Sequence, residues 1–265
     1  MKNALLRLEP VLDTRYRLRS VRPVRPIPTP GSDTAALLRE MLATNPAHFA
    51  ARTALADQSA DAGAIEAACQ LRWEGAQLVC DLLDRASASD ETVLLDWDDP
   101  YTASALTMVY DSAADHFVIG DFELATALLE SVLDADPEDH SNASELLAFC
   151  YAALEEWELF DEILSVLPPE SLSTRLASYW GTFRRAENQP ENQPGERSET
   201  TAKSAALRTL IRTESPALFR EWSATDHDPD PNAANPPAAV EARRLWLRTE
   251  SLWREFPEFV AFLKG

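Results

Sequence analysis

The string GDFELATALLESVLDADP at 120–137 is echoed, 35 residues on, by EEWELFDEILSVLPP at 155–169. In each, an aromatic residue (Phe122, Trp157) stands before Glu-Leu, and the apolar run that follows stops at proline. Apolar positions recur at helical spacing through both runs, and proline ends a helix because it lacks the amide donor and clashes with the preceding turn. Self-similarity at this period is how a repeated pair of helices looks in sequence. Each pair keeps an apolar face that only its neighbours bury, so two pairs need further helices as extra turns or caps. Composition agrees with helices. Seven glycines in 265 residues are few for a sheet protein with many tight turns, and Ala, Leu and Glu abound. The expected fold is all-α.

The chain carries 44 acidic against 24 basic residues, a formal charge of −20. Such a body repels nucleic acid and anionic membrane, whose binding rests on Lys and Arg neutralising phosphate. The charge is uneven. Lys2, Arg7, Arg15, Arg17, Arg19, Arg22 and Arg25 fall in the first 30 residues against only Glu9 and Asp13. Pro23, Pro26, Pro28 and Pro30 forbid a continuing helix there and favour a polyproline-like path. Residues 1–31 are therefore expected to be an extended basic arm lying across the acidic body, either in cis or on a second copy as a homodimer contact. A competing reading gives RYRLRSVRPVRP, with Tyr16 and its arginines, to RNA or an acidic protein. The acidic body weighs against RNA, since repulsion acts within a Debye length of about 8 Å.

Helices are expected at 32–43, 47–59 and 62–86, followed by a polar-acidic linker over 87–100. The clearest patterns follow at 102–119, 121–135, 141–155, 157–167 and 171–186. The tandem ENQP of AENQPENQPGERSET, at 186–200, reads as a flexible insertion within a repeat region of 101–223. A helix resumes at 201–213. After the polar break ATDHDPDPNAANPP, the segment 224–265 closes with an amphipathic capping helix in which Leu245, Leu252 and Phe259 recur every seven residues. Cys69, Cys80 and Cys150 have no metal-type spacing and read as reduced core thiols. No apolar run of signal-peptide length opens the chain and no window of 18 uncharged apolar residues occurs, so a cytoplasmic location is expected.

Residues 106–174 resemble the tetratricopeptide repeat. In the first unit Ala113 takes the small slot of the first helix, Gly120 the turn, Phe122 the following aromatic slot, Ala125 the small slot of the second helix, and Pro137 closes. In the second, Leu147, Ala148 and Tyr151 fill the first-helix pattern, Trp157 matches Phe122, and Pro168 closes. Four positions depart: Ser112 and His116 replace large residues, Glu155 replaces the turn glycine, and Phe160 sits where alanine is usual. A phenylalanine does not fit an alanine-sized gap, so the second pair must splay or repack. The resemblance implies an α-α superhelix, a solenoid with helical caps, whose first helices line a concave groove. Carried onto this chain, the groove shows Thr107, Tyr110, Ala114 and Phe117, then Asn142, Glu145, Phe149 and Ala152. Relatives that clamp acidic chaperone tails use Lys, Arg and Asn at these slots, and only Asn142 fits. Tyr110, Phe117 and Phe149 are expected to anchor an apolar or basic-amphipathic segment instead.

Chemistry-bearing motifs are sparse. Three of four histidines follow aspartate (Asp115-His116, Asp139-His140, Asp226-His227), but helix neighbours point about 100° apart and make no dyad by themselves. His116 reads as a core-edge stand-in for an aromatic and His140 as a loop or cap residue. The alternating Asp226, Asp228, Asp230 and Asn232 resemble a calcium loop without its glycine and closing glutamate, positions held by Pro231 and Pro237. No phosphate-cradling loop, nucleophile elbow or zinc motif is present. The expectation is a non-enzymatic protein–protein scaffold with no cofactor and no metal. Its alternative is a self-contained regulatory or oligomeric domain whose groove is filled by its own C-terminal helix.

Overall fold

A computed structural model describes residues 4–12, 14–29, 34–88, 93–187, 196–234 and 236–265, with only the backbone over 196–203. The protein is mostly helical. Among the described residues there are twelve α-helices and three short strands. The chain divides into two compact units, Met1–His116 with Glu123–Leu146 and Phe117–Phe122 with Leu147–Gly265.

The first unit opens with a correction to the extended arm. Residues Leu6–Leu12 (β1) and Arg15–Ser20 (β2) form an antiparallel hairpin, and Leu94–Leu95 (β3) adds a parallel strand beside β2. Leu8 faces Leu18 and Leu6 faces Ser20, with a register irregularity between Pro10 and Leu12. Leu18 is fully buried and its amide donates to Thr102 Oγ1 at 3.0 Å. Removing one such leucine from water contributes about 1.5–3 kcal/mol. The alternate residues of β2 are the arginines. Arg15 meets Glu138 at 3.0 Å, Arg17 meets Asp96 at 2.7 Å and Arg19 meets Asp99 at 2.8 Å, so these three charges are paired in cis. Only residues 21–29 keep the extended path.

Helices Thr34–Thr44 (α1), Phe49–Asp61 (α2), Ile65–Ser87 (α3) and Pro100–Val118 (α4) follow. His48 caps α2, its Nδ1 accepting from the Ala51 amide at 3.3 Å. The segment read as a linker holds β3 and the start of α4. Asp99 caps α4, accepting from the Thr102 amide at 3.0 Å with proline at the first helical position, where a missing amide hydrogen is no loss. Arg72 of α3 holds Asp115 of α4 through two bonds of 2.7 and 3.0 Å. Helices Phe122–Ala135 (α5) and Ala143–Leu154 (α6) belong to both units. Asp139 begins α6, its carboxylate accepting from the amides of Ala143 and Ser144.

The second unit contains Trp157–Val166 (α7), Leu172–Glu187 (α8), Glu196–Glu214 (α9), Pro216–Trp222 (α10), Pro237–Glu255 (α11) and Pro257–Lys264 (α12). The turns before α5 and α7 use the same backbone state 35 residues apart, with Gly120 at φ +81° and Glu155 at φ +63°. Phe160, the residue too large for its slot, finds room on the next helix. A Cβ added at Gly181 of α8 would stand 2.5 Å from Phe160 Cζ, so the glycine vacates the space that the ring fills. Two expectations need correcting here. The flexible stretch at 186–200 overlaps α8 at 186–187 and α9 at 196–200, while 188–195 lie outside the described residues. The single C-terminal helix is two, broken where Pro257 follows Phe256.

Candidate functional site

The eight groove positions fall into two states. Thr107, Tyr110 and Ala114 of α4 and Glu145 of α6 are half-buried, and Asn142, just before α6 with φ +54°, is exposed. Phe117, Phe149 and Ala152 are buried, the two phenylalanines with 1% exposure. Two of the three expected anchors are therefore core side chains. Phe117 stands edge-on to Phe122, with centroids 5.6 Å apart, and Phe149 lies 6.2 Å from Trp180. Helical spacing placed these residues on one face; it held no information on what covers that face.

Above Phe149 lies Trp180 of α8, which the C-terminal segment meets in turn. Trp180 meets Trp253 edge-on at 5.6 Å and Phe256 at 5.3 Å, and Phe256 reaches Phe122 at 5.9 Å. Phe183 meets Phe259 and Phe262 at 5.4 and 4.9 Å. Trp222 joins through Trp246 and Trp253. Aromatic pairs of this geometry add about 0.5–1.5 kcal/mol each beyond burial. Arg184 lies 4.5 Å over the Phe256 ring and bonds Glu155 at 2.8 Å, tying the α6–α7 turn to the same cluster. Trp180 and Trp222 bury their indole N–H groups with no acceptor among the described residues. That costs about 1–3 kcal/mol each, which the ring packing must exceed.

The histidines do not pair with their sequence neighbours. Asp115 is held by Arg72, while His116 sits edge-on to Trp73 at 5.3 Å. His140 Nδ1 bonds Asp136 at 2.9 Å and its ring stacks on Trp97, and the neighbouring Asp139 caps α6. The Asp136 hydrogen bond raises the imidazole pKa above its ordinary value. His227 bonds Glu221 at 2.8 Å and stacks on Trp246 at 3.8 Å, and Arg243 also bonds Glu221. Asp228 and Asp230 accept from backbone amides two residues on, the local turn chemistry of short acidic side chains. Among the described residues no three His, Cys, Asp or Glu side chains are placed to hold a metal ion. Two of the thiols are held toward the protonated form by their surroundings. Burial pushes Cys80 up to about 11, and burial with the nearby Asp115 carboxylate raises Cys69. One carboxyl stands out: Asp111, in α4, is pushed up to about 6 by burial, with Asp115 and Asp57 adding to the rise and Arg72 opposing it.

No family model, curated protein or solved structure matches the chain. No helix among the described residues is long and apolar enough to cross a membrane.

Proposed function

We propose that the chain is a non-enzymatic, tetratricopeptide-like interaction protein in which α11 and α12 occupy the surface a partner segment would take. It is then a regulatory or oligomeric domain with a self-filled groove. The observation that carries this reading is the burial of Phe149 beneath Trp180, which in turn bears Trp253 and Phe256. The matched left-handed turns at Gly120 and Glu155 support the repeat itself. The open-groove scaffold keeps one observation in its favour, the exposed Asn142 and half-buried Glu145 at the start of α6.

Phe149→Glu separates the two. In a self-filled domain the change puts an unpaired carboxylate among rings, at a cost of several kcal/mol. At about 2–4 °C per kcal/mol for a chain of this size, the melting temperature should fall by about 10 °C or more in a circular dichroism melt. A variant that melts like wild type yet loses a bound protein would instead establish an open groove.

A further inference from the structure

Residues 21–29, VRPVRPIPT, cross the first unit without joining a helix or strand. Pro23, Pro26 and Pro28 hold φ near −65°, and each disfavours the helical state in the residue before it. They favour a polyproline II path, with three residues per turn, over 23–29, entered through a bend at Val21 and Arg22. Its backbone is pinned along one side. Asn45 Nδ2 donates to the Pro23 carbonyl at 3.3 Å, and the Arg22 guanidinium donates to the Thr44 carbonyl. His48 Nε2 meets the Arg25 carbonyl at 2.7 Å. Because His48 Nδ1 accepts from the Ala51 amide, Nε2 carries the hydrogen and is the donor.

Val21 stands at the bend, and a period of three puts Val24 and Ile27 on one edge of this path. The three are 56%, 46% and 48% exposed, although β-branched side chains are ordinarily buried. Beside them Arg22 and Arg25 are exposed and form no ion pair among the described residues, whereas Arg15, Arg17 and Arg19 of β2 are all paired. In a chain of charge −20, unpaired arginines beside an outward apolar edge are not a packing solution. A cleft of about 220 Å³ opens between this strip and α1, with Leu37 46% exposed at its wall.

We infer that residues 21–29, with their polyproline II path over 23–29, are a preformed docking ridge for a protein partner whose groove is lined by aromatic side chains and rimmed by carboxylates. Flat rings pack against the Val and Pro edges of such a path, and carboxylates take the guanidinium forks in pairs. The folded unit already holds the ridge in its bound form, so docking loses less chain entropy than binding by a free proline-rich peptide. Nucleic acid fits less well, because two arginines without a carboxylate partner neutralise few phosphates and the remaining chain is strongly acidic. A second copy fits less well too, since ridge against ridge opposes arginine to arginine.

The test is calorimetric titration of the full chain against a panel of purified SH3, WW and EVH1 domains, at low and high salt. Binding to at least one acidic-rimmed domain is expected. Val24→Asp with Ile27→Asp should weaken it by about tenfold or more. Arg22→Ala with Arg25→Ala should weaken it less and flatten its salt dependence. Val24, Ile27 and Arg25 are exposed and Arg22 loses only one exposed bond to the Thr44 carbonyl, so melting temperatures should stay close to the wild-type value, and this control separates lost docking from lost folding. The proposal fails if no domain of the panel binds, or if binding survives Val24→Asp with Ile27→Asp. It fails equally if the strip instead binds a single-stranded RNA oligonucleotide, or drives self-association in sedimentation.

Discussion

In the first unit charge and polar pins are prominent between elements; in the second a large ring cluster is, beside the largely buried Glu221–Arg243 pair. Arg15, Arg17 and Arg19 clip the hairpin to acidic partners, Arg52 reaches Glu74, and Arg72 clamps Asp115. Most of these pairs are partly exposed, which leaves each worth no more than about 1 kcal/mol and screened by salt. In the second unit, Trp180, Trp222, Trp253, Phe183, Phe256 and Phe259 converge on one another. Ring burial has no such sensitivity to salt or pH. One chain thus uses many small, tunable contacts where its backbone needs to be steered, and a few large ones where a helix pair must stay down.

The strongest way to break this contrast is Trp180→Ala. Trp180 is fully buried and touches Phe149, Trp253 and Phe256. Truncating such a side chain costs about 3–5 kcal/mol. Urea unfolding should show the whole loss, equal at low and high salt. A loss below about 1 kcal/mol would mean that α11 and α12 are held by something other than the rings.

Next in size is Asp111→Asn, which tests whether the first unit answers to pH. The folded-state pKa of Asp111 lies above the ordinary carboxylate value, at about 6, chiefly through burial. The folded state therefore prefers the protonated carboxyl. Its contribution is fully present below the ordinary Asp value of 3.8 and is lost as pH rises through about 6. Asn mimics the protonated form, so the variant should gain about 1–3 kcal/mol over wild type at pH 8 and nothing near pH 3.5. Melting curves at both pH values decide it, and a gain independent of pH would remove the titration from the explanation.

Gly181→Ala is expected to cost about 1–3 kcal/mol, because the new methyl enters the space of the Phe160 ring. Phe160→Leu should recover part of it, and a double-mutant cycle reads the coupling directly. If the two changes are additive, the helices separate without strain and the ring does not depend on the glycine.

For the helices before residue 188, boundaries were legible to within about two or three residues, because apolar periodicity and prolines mark their ends; α9 begins five residues before the expected 201, and α10 was not expected. The hairpin was legible too, but by a different period. In RYRLRS the arginines alternate with Tyr16, Leu18 and Ser20, which is a strand with one face inward. Counted as charge they suggest an extended arm across the acidic body; counted at period two they give β2. The break at Phe256–Pro257 was masked because Leu252 and Phe259 keep their seven-residue spacing across it. The groove resisted reading for another reason. Spacing assigns Phe149 to a face, but that Trp180 of the next helix pair lies against it depends on tertiary packing, which no local rule carries.

The smallest expected effect concerns Glu155, where the two modes of fastening meet. Its φ of +63° strains any residue with a side chain by about 1–2 kcal/mol, while its carboxylate bonds Arg184, which in turn lies over Phe256. Glu155→Gly relieves the strain, loses a partly exposed ion pair and loosens the unfolded chain by about 0.4–1 kcal/mol. The net change should be a gain or loss of less than about 1 kcal/mol, with little dependence on salt. A larger loss that disappears at high salt would add the Glu155–Arg184 pair to the Glu221–Arg243 pair as a charge contact that fastens the ring-held unit. The contrast between the two units would then be one of degree.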